Sequence, residues 1–135
     1  MTTAPELPAT TLAYGCYAFM FNNCPLLTQS PALPAEGLAD FCYYYMFENC
    51  TALTSAPELP AYNLVDSCYA CMFQGCTSLN YVSVGFDNWM QNATSDWLNS
   101  VAATGTFVCP PTLLGNTTED QRSTSTVPSS WNMTV

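Results

Sequence analysis

Eight cysteines stand in a chain of 135 residues that has no histidine and no lysine. Thiolates ligate metals, exchange disulfides and attack as nucleophiles, so these positions are where chemistry would first be sought. The stretch "CYYYMFENC", Cys42 to Cys50, frames an aromatic, thioether-rich run between two of them. A second stretch, "CYAC" at 68–71, would supply four thiolates together with Cys76 and Cys109, the number a structural zinc site takes. Little accompanies them. The commonest general base and imidazole ligand is missing. There is no lysine for a Schiff base and no glycine-rich phosphate loop. No catalytic residue is assigned, no cofactor or metal is expected, and an enzyme is disfavoured.

The charge balance narrows the partners. Ten acidic residues face one cation, Arg122, for a net charge of −9. Such a chain repels nucleic acid and anionic membrane surfaces. No apolar run approaches the roughly 20 residues of a spanning helix, so no membrane insertion is expected. The opening "MTTAPELPAT" lacks the basic and apolar regions of a signal peptide. The chain then begins after an export signal, is a fragment, or is made without one.

An internal register organises everything else. Residues 4–29, 30–55 and 56–81 align without a gap, and 11 of the 26 columns are identical in all three. The unit reads P-x-L-P-A-x-x-L-x-x-x-C-Y-x-x-M-F-x-x-C-x-x-L. A fixed period of this length is the signature of a repeat architecture. The unit resembles the repeats of BspA-like leucine-rich-repeat surface proteins of gut bacteria. The tail segments "DWLNSVAATGTFV" and "VPSSWNMTV" resemble the piece that closes such arrays. The resemblance implies extracellular binding or adhesion modules, and related repeats are also expected on viruses of such bacteria.

The expected fold is therefore an α/β leucine-rich-repeat solenoid, with short parallel strands on one side, helices on the other and a C-terminal cap. The domains are three repeats over residues 1–82 and a capping segment over 83–135. In the second repeat Leu38, Cys42 and Met46, followed by Ala39, Tyr43 and Phe47, keep i, i+4 spacing. That stripe, with Pro34 in a first turn and Asn49 at the stop, predicts a helix over 34–47. The column Asn23, Asn49, Gly75 suits a left-handed C-terminal position. Pro5, Pro31 and Pro57 keep the strands short. With strands about 4.8 Å apart and helices about 8–10 Å apart, the stack should curve.

The register also sorts the cysteines. Cys16, Cys42 and Cys68 share one column, and Cys24, Cys50 and Cys76 another. Both columns read as buried free thiols, with disulfides the alternative. Zinc loses ground because Cys68 and Cys76 recur in repeats that have no CxxC. Cys71 and Cys109 break the pattern, and either pair as a disulfide between the last repeat and its cap or stay unpaired. The acidic columns Glu6/Glu58 and Asp40/Asp66 read as solvated positions, with weak calcium binding an alternative.

In the tail, "LNYVSVGF" reads as a longer strand and "TSDWLNSVAAT" as a helix capped by Thr94 or Ser95. "GTFVC" and "WNMTV" read as short strands, and "GNTTEDQRSTSTVPSS" as a polar, mobile loop. Trp97, Phe107 and Trp131 are expected to cover the last repeat. Met1 falls in the aliphatic column of Leu27, Leu53 and Leu79, with no cap before it. That edge should carry upstream repeats or associate with another subunit or copy.

Function in a repeat protein is expected in the columns that vary. Here these are rich in aromatics: Tyr14, Phe19, Phe41, Tyr44, Tyr45, Tyr62 and Tyr81. Outward aromatics suit contact with a protein or glycan ligand. The alternative is that half of them fill gaps between repeats. The functional expectation is a recognition or adhesion module at the cell surface. The second is a structural subunit of a bacterial surface or phage virion, docking through its N-terminal edge.

Overall fold

A computed structural model describes residues 3–135. Met1, with its place in the aliphatic column, lies outside the described residues. The chain winds into stacked coils that follow the 26-residue register. A row of parallel backbone pairings marks the repeat: Thr3 with Gln29, Ser55 with Tyr81, Tyr81 with Thr106, and Thr106 with Asn132. Tyr81–Ser83 (β1), Thr106–Val108 (β2) and Asn132–Thr134 (β3) form the one regular sheet among the described residues, in the order β1-β2-β3. The strands read in "GTFVC" and "WNMTV" are β2 and β3.

Among the described residues the helices of the expected leucine-rich-repeat fold are absent, and that fold class is corrected. The longest helix among the described residues is Pro111–Gly115 (α1), five residues in the last coil. A three-residue 3-10 turn follows at Glu119–Gln121. Residues 34–47 form an extended piece and then a chain of tight turns, and "TSDWLNSVAAT" is also a run of turns.

The hydrogen bonds show why. In the second coil the N–H groups of Cys42, Tyr44 and Met46 close turns onto Ala39, Phe41 and Tyr43. The intervening N–H groups, on Tyr43, Tyr45 and Phe47, donate to the carbonyls of Cys68, Ala70 and Met72 in the next coil, at 2.9–3.1 Å. An α-helix would keep all these bonds to itself and hold its neighbour about 8–10 Å away. Here the invariant rings stack flat instead. Tyr43 lies 5.9 Å from Tyr69 with planes 2° apart, and Phe47 lies 5.6 Å from Phe73 at 1°. At that separation the backbones of neighbouring coils can bond directly. The i, i+4 apolar spacing fits this ribbon because it repeats every four residues.

Each fourth residue of the ribbon takes a positive φ. These are Gly15, Phe19 and Asn23; Phe41, Tyr45 and Asn49; Ser67, Cys71 and Gly75. Asn and Gly suit such sites, and Asn23 and Asn49 therefore serve turns and not helix stops. Gly75 is further constrained, since an added Cβ would sit 2.0 Å from the Asn49 side-chain oxygen.

The stack continues past residue 82. The N–H groups of Tyr69, Cys71, Phe73 and Gly75 donate to the carbonyls of Ala93, Ser95, Trp97 and Asn99. Asp96 and Ser100 carry positive φ, 25 residues after Cys71 and Gly75. Residues 82–106 are thus a fourth coil, one residue shorter, with Ala93, Thr94, Trp97 and Leu98 buried where Cys68, Tyr69, Met72 and Phe73 stand one coil earlier. Trp97, Phe107 and Trp131 are all buried. The indole N–H groups of Trp97 and Trp131 donate to the carbonyls of Thr126 (2.8 Å) and Ala102 (2.9 Å).

The segment 115–130, read as a mobile loop, is tied down. Arg122 donates through Nε to the Val127 carbonyl (3.3 Å) and through Nη2 to the carbonyls of Pro128 (2.9 Å) and Trp131. Among the described residues no helix is long and apolar enough to cross a membrane.

Candidate functional site

The cysteines resolve into packing. All eight are free thiols, and Cys42, Cys50, Cys68 and Cys76 are fully buried. The Cys50 thiol donates to the Phe21 carbonyl at 3.1 Å, and the Cys76 thiol to the Phe47 carbonyl at 3.0 Å. Each S–H therefore links one coil to the coil before it. Burial pushes the Cys42 and Cys50 thiols up to about 11, and those of Cys68 and Cys76 to about 12. Such thiols are poor nucleophiles and poor ligands at neutral pH. Cys71 and Cys109 are not brought together. Cys71 sits on the turn ribbon beside the Tyr45 hydroxyl, while Cys109 follows β2, its N–H bonded to the Thr134 carbonyl. Among the described residues no three His, Cys, Asp or Glu side chains converge as a metal site requires.

The aromatic residues of the variable columns do converge. Tyr14 lies 5.5 Å from Phe41, Phe41 5.0 Å from Tyr44, and Tyr44 4.5 Å from Tyr45. Phe19 closes the cluster, stacked on Tyr45 at 5.1 Å and edge-on to Tyr44 at 5.6 Å. Five of the seven expected residues thus form one connected patch on the turn face of the first two coils. Tyr14 and Phe19 are 73% and 52% exposed, so the patch opens to solvent.

Three members of the patch, Phe19, Phe41 and Tyr45, hold φ between 54° and 59°. Any side chain with a Cβ costs about 1–2 kcal/mol relative to Gly in this conformation, less for Asn and Asp. The equivalent positions in other coils hold Gly15, Ser67, Cys71 and Asp96. The fold thus requires the backbone conformation but not the rings. The Cys71 thiol, hydrogen-bonded to Tyr45 from the next coil, raises the pKa of the phenol.

Tyr62 and Tyr81 stand apart from the patch. The Tyr62 hydroxyl donates to the Asp87 carboxylate at 2.9 Å, and that bond raises the pKa of the phenol. Tyr81 opens β1, beside Thr106 on the sheet side.

Two features go beyond the site residues read from the sequence. The first coil shows side chains that are buried in every later copy. Met20 is 45% exposed where Met46 and Met72 are at 0%, and Cys16 is exposed where Cys42 and Cys68 are buried. Along the same edge the carbonyls of Tyr14, Cys16, Ala18 and Met20 accept no hydrogen bond from the described residues, while the equivalent carbonyls of Asp40, Cys42, Tyr44 and Met46 each accept one from the preceding coil. Exposure at the end of a stack depends on what lies next to it, which no column of residues records. The second feature is a cleft beside Trp89, whose only sequence signal is the dense run of Asn, Gln, Ser and Thr around it.

Comparison with protein-family models, with curated proteins and with solved structures found no match to this chain.

Proposed function

We propose that the chain is a non-catalytic recognition or adhesion module that binds a protein or glycan ligand through the turn face of its first two coils. The observation that carries this reading is the aromatic patch, in which Phe19, Phe41 and Tyr45 occupy strained backbone positions that the fold fills elsewhere with Gly, Ser, Cys or Asp. Rings retained at a cost, joined to one another and open to solvent, suit a contact surface. Tyr14, Tyr44 and Tyr45 add hydroxyls that can bond while their rings stack, at a small entropy cost. The acidic surface disfavours nucleic acid and anionic membrane as partners. Placement outside the cell, on a bacterial surface or a virion, rests on the resemblance of the repeats.

The test is an array of extracellular proteins and glycans probed with the wild-type chain and with a Phe19→Asn/Phe41→Asn/Tyr45→Asn variant. Asn tolerates the left-handed backbone, so the variant removes the rings and leaves the turns in place. Retention of a ligand by the wild type alone supports the reading. An array in which no ligand is retained by the wild type and lost by the variant contradicts it, whatever sugars both retain.

A second reading, a structural subunit in an assembly, is favoured by the edge of the first coil. Its carbonyls, which accept no hydrogen bond from the described residues, can take N–H donors from a neighbour. Two copies of this edge would set carbonyl against carbonyl, so the neighbour must contribute a different surface. Such a heterologous contact does not close as a two-fold dimer, and builds a ring or an open-ended filament. Sedimentation at rising concentration would then show species larger than the monomer that Met20→Glu abolishes. A monomer throughout counts against it.

A further inference from the structure

Beyond the aromatic patch, we propose that the chain holds a second site, a cleft that takes a neutral saccharide. The cleft lies between the fourth coil and the segment that follows it, residues 107–135, and has a volume of about 690 Å³, lined by Trp89, Gln91, Ser95, Asn116, Gln121 and neighbouring hydroxyl residues. That volume is in the range of small-ligand pockets.

Its chemistry is specific. The chain carries ten acidic residues, yet none lines the cleft, and neither does Arg122. The lining is amide, hydroxyl and indole. Trp89 is held in place by its N–H bond to the Thr117 hydroxyl at 2.9 Å and by edge-on contact with Phe86 (5.3 Å) and Trp97 (6.2 Å). A fixed indole offers a flat apolar surface to the C–H face of a sugar ring without having to be ordered on binding.

The amides supply the hydrogen bonds. Among the described residues the side chains of Gln91 and Asn116 have no protein partner, and the Gln121 side-chain oxygen accepts the Thr118 N–H at 3.2 Å while its NH₂ group is unpaired. An amide presents a donor and an acceptor side by side, which matches the paired donors and acceptors of adjacent hydroxyls. The wall behind them is already satisfied. The Thr94 hydroxyl donates to the Ser125 carbonyl at 2.7 Å, and the Ser125 hydroxyl accepts the Asp96 N–H at 3.0 Å. The site thus has a set frame with free amides at its mouth. An anionic sugar would meet neither a cation in the cleft nor a favourable field from a chain of net charge −9.

The cleft shares the turn face with the aromatic patch. Ser95 accepts the Cys71 N–H through its carbonyl, and Ala70 accepts the Tyr45 N–H in the same way. The two sites are therefore in register along one face, with the third coil between them.

The experiment is saturation-transfer NMR on the full chain, with panels of neutral and of carboxylated oligosaccharides and with Trp fluorescence as a second readout. Binding of neutral members is expected, with affinity reduced about tenfold or more by Gln91→Ala and by Asn116→Ala. These two side chains are exposed and bond to nothing among the described residues, and the substitutions leave the backbone bonds in place, so the variants keep the wild-type melting temperature. The Phe19→Asn/Phe41→Asn/Tyr45→Asn variant should bind these sugars as the wild type does, which separates this site from the patch. Three results would overturn the proposal. They are no neutral sugar bound at about 20 mM, binding indifferent to both amide substitutions, or carboxylated sugars bound as well as neutral ones.

Discussion

Phe19 stacks on Tyr45 with ring centroids 5.1 Å apart and planes 4° from parallel, and both residues hold a positive φ, 59° and 54°. The pair brings together the two levels of the molecule. The backbone conformation belongs to the repeat, which demands it at every fourth residue of the ribbon. The rings belong to this surface alone, since Cys71 and Asp96 fill the same column further along the stack.

Substitution at this column should therefore separate fold from surface. In Tyr45→Asn the lost ring contacts, about 0.5–1.5 kcal/mol, are partly offset because Asn takes the left-handed backbone more readily than Tyr. Urea unfolding should show a net change within about 1 kcal/mol. Phe47→Ala, two residues on and fully buried, should cost about 3–5 kcal/mol. A loss of more than about 3 kcal/mol in Tyr45→Asn would make the ring structural.

The thiol columns predict an alkylation pattern with an internal control. Cys16 is exposed, while Cys42 and Cys68 share its column and are buried. Iodoacetamide at pH 8 should modify Cys16 in the native chain and leave Cys42, Cys50, Cys68 and Cys76 intact until urea is added. Mass spectrometry of the peptides reads the outcome directly. Early modification of Cys42 or Cys68 would mean that the coils do not stack as described.

Alkali should weaken the fold through the same groups. Burial raises the Cys42 and Cys50 thiols from 9.0 to about 11, and the Cys68 and Cys76 thiols from 9.0 to about 12. The folded state thus keeps protons that the unfolded state releases near pH 9. Stability from these groups is fully present below pH 9 and is lost as the pH rises toward 11–12. Melting temperature measured from pH 7 to 11 should hold and then fall. Replacing Cys68 with Ala should make that fall shallower.

Much of this was legible in residues alone. The 26-residue register places the invariant Cys, Tyr, Met, Phe and Leu columns in the core, and the variable aromatics Tyr14, Phe19, Phe41, Tyr44 and Tyr45 meet on one face. The helix over 34–47 was not legible as turns, because Leu38, Cys42 and Met46 four apart satisfy a helix and a four-residue turn ribbon equally. What separates them is the flat stacking of Tyr43 on Tyr69 and Phe47 on Phe73, a relation between coils. The fourth coil was hidden because Ala93, Thr94, Trp97 and Leu98 replace the motif residues and the spacing shortens by one. Trp89, Gln91 and Asn116 lie outside the three aligned repeats, so the register could not point to their cleft.

Close packing at the coil boundaries gives a further prediction. A Cβ added at Gly105 would lie 2.5 Å from Trp131 Cε2 and 2.7 Å from the Asn80 carbonyl oxygen. Gly105→Ala should cost about 3 kcal/mol. Gly115 has nothing within 4 Å, and Gly115→Ala should change stability by less than about 0.5 kcal/mol. Thermal unfolding of the two variants side by side checks the packing of the last coil.

Arg122 should outweigh its salt bridge. Its guanidinium serves three backbone carbonyls, whereas Glu119, its 3.3 Å ion-pair partner, is 80% exposed. Arg122→Met should lower stability by about 3 kcal/mol, and Glu119→Gln by less than about 0.5 kcal/mol. Equal losses in denaturant titrations would place the stabilisation in the ion pair.

The central claim is that the patch of Tyr14, Phe19, Phe41, Tyr44 and Tyr45 is a contact surface. Calorimetric titration of the array-selected ligand into the wild type and into the Phe19→Asn/Phe41→Asn/Tyr45→Asn variant tests it most directly. The predicted result is a Kd at least about tenfold weaker for the variant, a loss of about 1.4 kcal/mol or more, with its melting temperature close to that of the wild type. An unchanged Kd in a folded variant would contradict it.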